Sequence, residues 1–271
     1  MDLSTILGLV LGFVALFVGM AMKGVTPDNL LNVAAILIIL FGTVAAVVIA
    51  FPMSELKNVP KLFGKIFKEQ KLTSDADIIR MFSGWADIAR REGLLALEAK
   101  TDEIDDPFLK NGLGLAIDGQ NADYIRDVLT EEVDAMEERH AAGALIFSQA
   151  GTYAPTLGVL GAVVGLIAAL KNLDDIAALG LAISAAFIAT LLGIFTGYVL
   201  WHPFANKLKR KSKEEARQRH MMIEGILSVL EGEAPRVIEQ KLASYLSVQE
   251  RKKLANANSS EKGAGQFVEE T

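Results

Sequence analysis

An all-α polytopic membrane protein, with four transmembrane helices and a cytoplasmic helical domain, is the fold class this 271-residue sequence predicts. Three observations lead there. Four apolar stretches each run for about 20 residues or more without a charge, the length a helix needs to cross a bilayer core. Lysine and arginine gather after the second and fourth stretches and are scarce between the paired ones. The remaining sequence carries apolar residues at three- and four-residue spacing, the periodicity of amphipathic helices.

Hydrophobic residues make up 51% of the chain, more than a soluble domain carries in such uninterrupted runs. The lack of cysteine removes disulfides, iron–sulfur clusters and thiol catalysis. His140, His202 and His220 are scattered, without metal-ligand spacing. No G-x-x-x-x-G-K-S/T phosphate loop occurs, and Gly112 with Gly114 lacks the third glycine of a dinucleotide fingerprint. An enzyme is therefore not expected, nor a cofactor, nor a nucleic-acid partner.

The first span runs from Leu3 to Met22. Asp2 precedes it, no lysine or arginine does, and a second span follows at once, so a retained helix is expected instead of a signal peptide. A short polar turn, Lys23 to Asn29, leads to the second span, Leu30 to Phe51. Lys57, Lys61, Lys65, Lys68 and Lys71 then recur on one helical face, with Leu56, Val59, Phe63, Ile66 and Phe67 on much of the remainder. Such a helix suits a membrane surface, lysines toward anionic headgroups, and equally an amphipathic place in a helix bundle. From Leu72 to His140 acidic residues outnumber basic ones. Ser74 with Asp77 has the form of a capping box, and Ile78, Ile79, Phe82, Trp85 and Ile88 mark the helix it starts. A further helical stretch, Gly93 to Lys100, follows. Asn121 or Asp123 starts a helix that runs into the third span, Ala141 to Leu170.

Lys171 to Asp175 separates the third span from the fourth, Ile176 to Trp201. Met222, Ile226, Val229 and Leu230 continue a helix to a break at Pro235, and Val237 to Leu246 forms another. From about Asn256 the sequence loses periodicity and is expected to be disordered. Lys207, Lys209, Arg210, Lys211 and Lys213 after span four, with the lysines after span two, place the long loop and both termini in the cytoplasm. The expected organisation is thus spans one and two over 1–51, a cytoplasmic helical domain over 52–140 and spans three and four over 141–203. C-terminal helices follow over 204–255 and a tail over 256–271.

Spans three and four have the features of a pore. Pro155, Gly158, Ala162 and Gly165 share one face of span three, and Ala186, Thr190, Gly193 and Gly197 one face of span four. Small faces let membrane helices approach closely, so plain helix packing explains the pattern as readily as a pathway does. Pro155 leaves a backbone carbonyl without its donor inside the membrane, and Thr190 offers a mid-span hydroxyl that could serve it or bond back to its own helix. None of the spans holds an Asp, Glu, Lys or Arg near its centre. Proton relays depend on an intramembrane ionisable group, so if the chain conducts protons the carboxylate belongs to another chain.

Three stretches carry a family resemblance: Ala89 to Glu98 (ARREGLLALE), Thr152 to Gly158 (TYAPTLG), and Thr190 through Tyr198 to Pro203 (TLLG, then Y, then WHP). From the first span to about residue 250 the chain resembles the MotA/PomA stator family of bacterial flagellar motors, in particular its proton-driven Gram-positive members. The resemblance implies a pentameric ring around a MotB-type, single-span, peptidoglycan-binding partner that supplies the membrane aspartate. It also implies residence in the inner membrane and torque on the rotor protein FliG. Carried over residue by residue, Pro155 lies beside the ion pathway, Thr190 faces the partner's carboxylate, and Tyr198 and Pro203 mark the inner end of span four. Arg90 and Glu98 match the charges that engage the rotor. Such exposed charges are otherwise a solvated face, each worth about 0–1 kcal/mol. Sodium-driven members look to carry a threonine where this chain has Ala162. An alanine cannot ligate sodium, so the proton is the expected coupling ion.

Three other readings predict different things. A proton channel of the ExbB/TolQ kind resembles a three-span chain without the paired N-terminal spans found here. A sodium-driven stator would need another ligand in place of Ala162. A membrane scaffold would tolerate changes at Pro155 and Thr190 without loss of ion flux.

Overall fold

The computed structural model describes residues 2–26, 30, 32–70, 72–101, 103–172 and 175–252. The expected tail from Asn256 lies outside them, as do Lys71 and, in the polar turn, Pro27 to Asn29. Every regular element among the described residues is a helix. The chain divides into two compact units, Met1–Gln70 with Glu138–Ser212 and Lys71–Glu137 with Lys213–Thr271.

The first unit holds the spans. Helix α1 (Leu3–Met22) starts at Asp2, whose carboxylate accepts from Thr5 N–H at 3.3 Å, and ends before Gly24 at φ +71°. Helix α2 (Val33–Ala50) starts three residues later than expected, because Asn32 caps it by accepting from Ala35 N–H at 3.1 Å. It contains a π turn, Leu37–Phe41, and stops ahead of Phe51-Pro52. A single turn, α3 (Met53–Leu56), precedes the lysine-bearing helix α4 (Val59–Phe67). Ile66 of α4 is fully buried with Phe147, Phe204 and Leu208, and Phe63 meets Phe147 and Trp201 edge to face. The apolar face of α4 therefore packs on the ends of the spans while Lys57, Lys61, Lys65 and Lys68 remain exposed.

The third and fourth spans belong to much longer helices. Helix α8 (Ala122–Ala169) is 48 residues, and α9 (Ile176–Leu230) is 55 with a π turn at Thr196–Trp201. At 1.5 Å per residue each far exceeds the bilayer core of about 30 Å. The helix does not end with the apolar run at Trp201: it passes Pro203 and continues. Asp175 caps its start, accepting from Ala178 N–H at 3.0 Å.

The second unit has its own core, built from Phe82, Trp85, Phe108, Leu129, Met221, Ile226 and Ile238 among others. Helix α5 (Asp75–Glu92) carries Asp75 and Asp77 in its first turn and Arg90 and Arg91 in its last, as the helix dipole favours. Ser74 stands at its N-cap, but the expected capping box does not form: the Ser74 side chain makes no capping bond. Asp75 turns to a tertiary role, accepting from Arg217 at 2.8 Å and from Gln218 at 3.1 Å.

The stretch after Gly93 is a 3-10 turn, Leu94–Leu97, followed by one α turn, α6 (Glu98–Thr101). Helix α7 (Pro107–Ile117) was not expected. Its signals are Asp106, accepting from Phe108 N–H at 2.8 Å, and Pro107 at the first position. Asn121, not Asp123, caps α8, accepting from Tyr124 N–H at 2.8 Å. Pro235 begins α10 (Pro235–Leu242), and a 3-10 turn, Ala243–Tyr245, replaces the helix expected through Leu246.

Glu224 joins α8 to α9 by pairing with Arg126, and Lys241 of α10 lies 3.4 Å from its other oxygen. Burial pushes the Glu224 carboxyl up, but Arg126 and Lys241 outweigh it and hold it below the ordinary carboxylate range.

Candidate functional site

The membrane parts of α8 and α9 meet through their smallest residues. A Cβ added to Gly158 would lie 2.8 Å from the Ala189 carbonyl oxygen and 3.0 Å from Gly193 Cα. One added to Gly193 would lie 2.8 Å from the Ala154 carbonyl oxygen and 2.9 Å from Gly158 Cα. Here the two backbones touch, which only glycine on both sides permits. One or two turns along, Gly161 and Gly165 face Ala189 and Ala186 at ordinary van der Waals distance. The packing interpretation of the small faces is thus realised inside one chain.

Pro155 sits within α8, where its nitrogen cannot donate to the Gly151 carbonyl. That oxygen packs on Gly197, where an added Cβ would lie 2.8 Å from it and 2.8 Å from the Pro155 ring. The Thr190 hydroxyl instead donates to the Ala186 carbonyl of its own helix at 3.3 Å, the back-bond alternative. Because Ala189 touches Gly158 and Gly161, Thr190 falls at a level between Pro155 and Ala162, which are about 10 Å apart along α8. Pro155, Ala162 and Thr190 are all half-buried. The structure brings these three to one stretch of one helix pair and leaves each partly open.

Tyr198 is 64% exposed, and its ring lies 5.3 Å from that of His202. The His202 ring occupies the space a side chain at Gly151 would need, 2.8 Å from its Cβ position. Pro203 is exposed. In the π turn before it, His202 N–H donates to the Gly197 carbonyl, a wider step in the ladder next to a missing donor. Two features escaped the sequence reading. Gly42 of α2 receives Leu157, 3.2 Å from its Cβ position. Thr43 is 3% exposed, and its hydroxyl has no hydrogen-bond partner among the described residues. Neither leaves a motif, because both depend on which span lies opposite.

In the second unit, Gly93 has φ 88° and ψ 164°, a conformation essentially reserved for glycine. The corner it makes lets Leu97 enter the core while Arg90 and Glu98 stay exposed on either side. Neither side chain has an ion-pair or hydrogen-bond partner among the described residues, whereas Arg91 pairs with Asp87 at 2.9 Å.

The profile of the MotA/TolQ/ExbB proton channel family matches residues 100–221, and that of the motility protein A N-terminal family residues 6–93. The chain is 64% identical over 263 residues to motility protein A of Bacillus subtilis strain 168, covering 97% of each chain. It is 35% identical over 247 residues to chemotaxis protein PomA of Vibrio alginolyticus, covering 91% of this chain and 96% of that one. Among solved structures, the flagellar MotAB stator complex from Bacillus subtilis matches with a TM-score of 0.90 and 66% identity, over 94% of this chain and 100% of that one. With its four apolar helices, the chain is a membrane protein that belongs to the motility protein A family, within the MotA/TolQ/ExbB proton channel family.

Proposed function

We propose that the chain is the stator subunit of a bacterial flagellar motor. Together with a MotB-type partner it conducts protons through the inner membrane and converts the flow into torque on FliG. The observation that carries this reading is the half-open row of Pro155, Ala162 and Thr190 on helices that hold no ionisable residue near mid-membrane. A site with a place for a carboxylate and none of its own calls for a second chain. The likeness to the Bacillus subtilis MotAB stator complex supports the same pairing. In this reading several copies of this chain surround the partner as a pentameric ring. The match of the motility protein A N-terminal family over residues 6–93 favours the motor over an envelope-energising channel.

In this reading Thr190 presents its face to the partner's carboxylate, and Pro155 leaves the Gly151 carbonyl without its helix donor beside the pathway. Tyr198 and Pro203 shape the inner end of the fourth span. Ala162 supplies no ligand for a dehydrated sodium ion, so protons couple. Both termini lie in the cytoplasm, where Arg90 and Glu98 meet opposite charges on the rotor. One charge falling through 100 mV releases about 2.3 kcal/mol, the energy source for each step. No cofactor and no enzymatic step are assigned.

The test is complementation of a strain lacking its own stators, with this chain and its cognate partner, while external sodium and a protonophore are varied. Swimming should ignore sodium, collapse with the protonophore, and fall sharply in Pro155→Ala and Thr190→Val. Sodium-dependent swimming would overturn the assignment from Ala162. Full swimming in both variants would return the small faces to a scaffold role.

A further inference from the structure

We infer that the row Lys57, Lys61, Lys65 and Lys68 is a docking surface for anionic phospholipid headgroups in the leaflet at this end of the spans. Basic residues on an amphipathic helix are commonly no more than a solvated face, so the inference rests on how this helix is held. The apolar side of α4 is occupied: Ile66 is fully buried against Phe147 and Phe204, with Leu62, Phe63 and Phe67 packed around it. Its C-terminal end is fastened as well. Asp2 N–H donates to the Phe67 carbonyl at 2.9 Å. Lys211 Nζ donates to the carbonyls of Lys65 at 2.8 Å and Lys68 at 2.6 Å. Asp2 in turn pairs with Lys207 at 2.8 Å and Lys211 at 3.3 Å.

These contacts fix the level of α4 along the spans. Its neighbours are Leu9 of α1, Ala144 and Phe147 of α8, and Leu200, Trp201 and Phe204 of α9. All three spans cross from apolar to charged sequence in that zone, and Trp201 marks the boundary. The two cations that face inward, Lys207 and Lys211, are already matched by Asp2. The four that face outward are exposed and have no ion-pair partner among the described residues. From Lys57 to Lys68 the sequence contains no acid. What remains is a preset row of positive charge at headgroup depth, whose ordering was met by folding and not by the lipid. A bilayer surface carrying anionic lipid complements it, with a gain of about fivefold per lysine.

The experiment titrates a fluorescent phosphatidylglycerol and a fluorescent phosphatidylcholine into the full-length chain in detergent. The anionic probe should bind at least about tenfold tighter, and 0.5 M salt should erase most of the difference. The K61Q/K65Q/K68Q variant should bring the two probes within about fivefold, the share left to Lys57, while K61R/K65R/K68R keeps the preference. Melting in phosphatidylcholine alone confirms that each variant is folded, and Lys61→Gln singly carries the comparison where the triple variant is not. Equal binding of both probes by the wild type, or an unchanged preference in the glutamine variant, overturns the proposal. Competition by inorganic phosphate as effective as phosphatidylglycerol overturns it in favour of a soluble anion. Because the readout is lipid binding, it stands or falls independently of motility.

Discussion

Gly158 and Gly193 have no room for even one more carbon, since each added Cβ would meet backbone at 2.8 to 3.0 Å. Backbone cannot rotate aside as a side chain does, so the helices themselves must separate. Gly193→Ala should therefore lower stability by about 1–3 kcal/mol, read as a drop in melting temperature in detergent. Gly84 gives the opposite expectation. It lies exposed within α5, with nothing within 4 Å of an added Cβ. Gly84→Ala removes unfolded-state freedom at no steric cost and should stabilise by about 0.5–1 kcal/mol. The sequence marked the small faces of the spans but not this difference, because spacing shows which residues share a face and not what lies against it. Thr190 shows the same limit: its hydroxyl could be placed at mid-span from sequence, yet its bond to the Ala186 carbonyl depends on its rotamer.

At the scale of elements, the attachment of α1 to α4 and α9 through Asp2 gives a pH prediction. Lys207 beside it, opposed by partial burial, holds the Asp2 carboxyl well below the usual carboxylate range. A folded-state pKa below the unfolded value of about 3.9 adds stability above that pH. The gain is lost as pH falls through 3.9 toward the folded value. Asp2→Asn keeps the helix cap but removes the ion pairs. The wild type should thus melt higher than the variant at pH 7, with the gap narrowing steadily as pH falls below about 4 toward the folded value. A constant gap would show that the ion pairs contribute nothing to stability. In the sequence Asp2 read only as a charge unlike that of a signal peptide. Its partners lie some two hundred residues away, so no local pattern announced them. The missed helix α7 is a different case. Asp106-Pro107 was a readable start signal, overshadowed by the acidic run around it.

For the whole molecule, each compact unit takes two separate stretches of chain, so neither can form from one stretch alone. Truncation after Ser212 would strip Met221, Ile226, Leu227 and Ile238 from the core of the second unit. Phe82, Phe108 and Leu129 would then lose the surface they bury against, at about 2–5 kcal/mol for each large side chain uncovered. Limited proteolysis of the truncated chain in detergent should cut freely within residues 72–137, where the full-length chain resists. Resistance in both would mean that α5, α7 and the first part of α8 hold a core without α9.

The sequence by itself determined that this chain has four helices apolar enough to cross a membrane, which ends of them carry the basic residues, and that none of them holds an ionisable residue near its centre. These follow from composition along the chain, because hydrocarbon accepts no unpaired charge and no unpaired backbone. Tertiary structure alone decided the rest. It set Gly158 against Gly193, returned Thr190 to its own helix, carried the helix of the fourth span on past Pro203 and matched Asp2 with Lys207. Those outcomes depend on which surfaces meet at contact distance, and a distance of a few ångströms is fixed by packing and not by the order of residues.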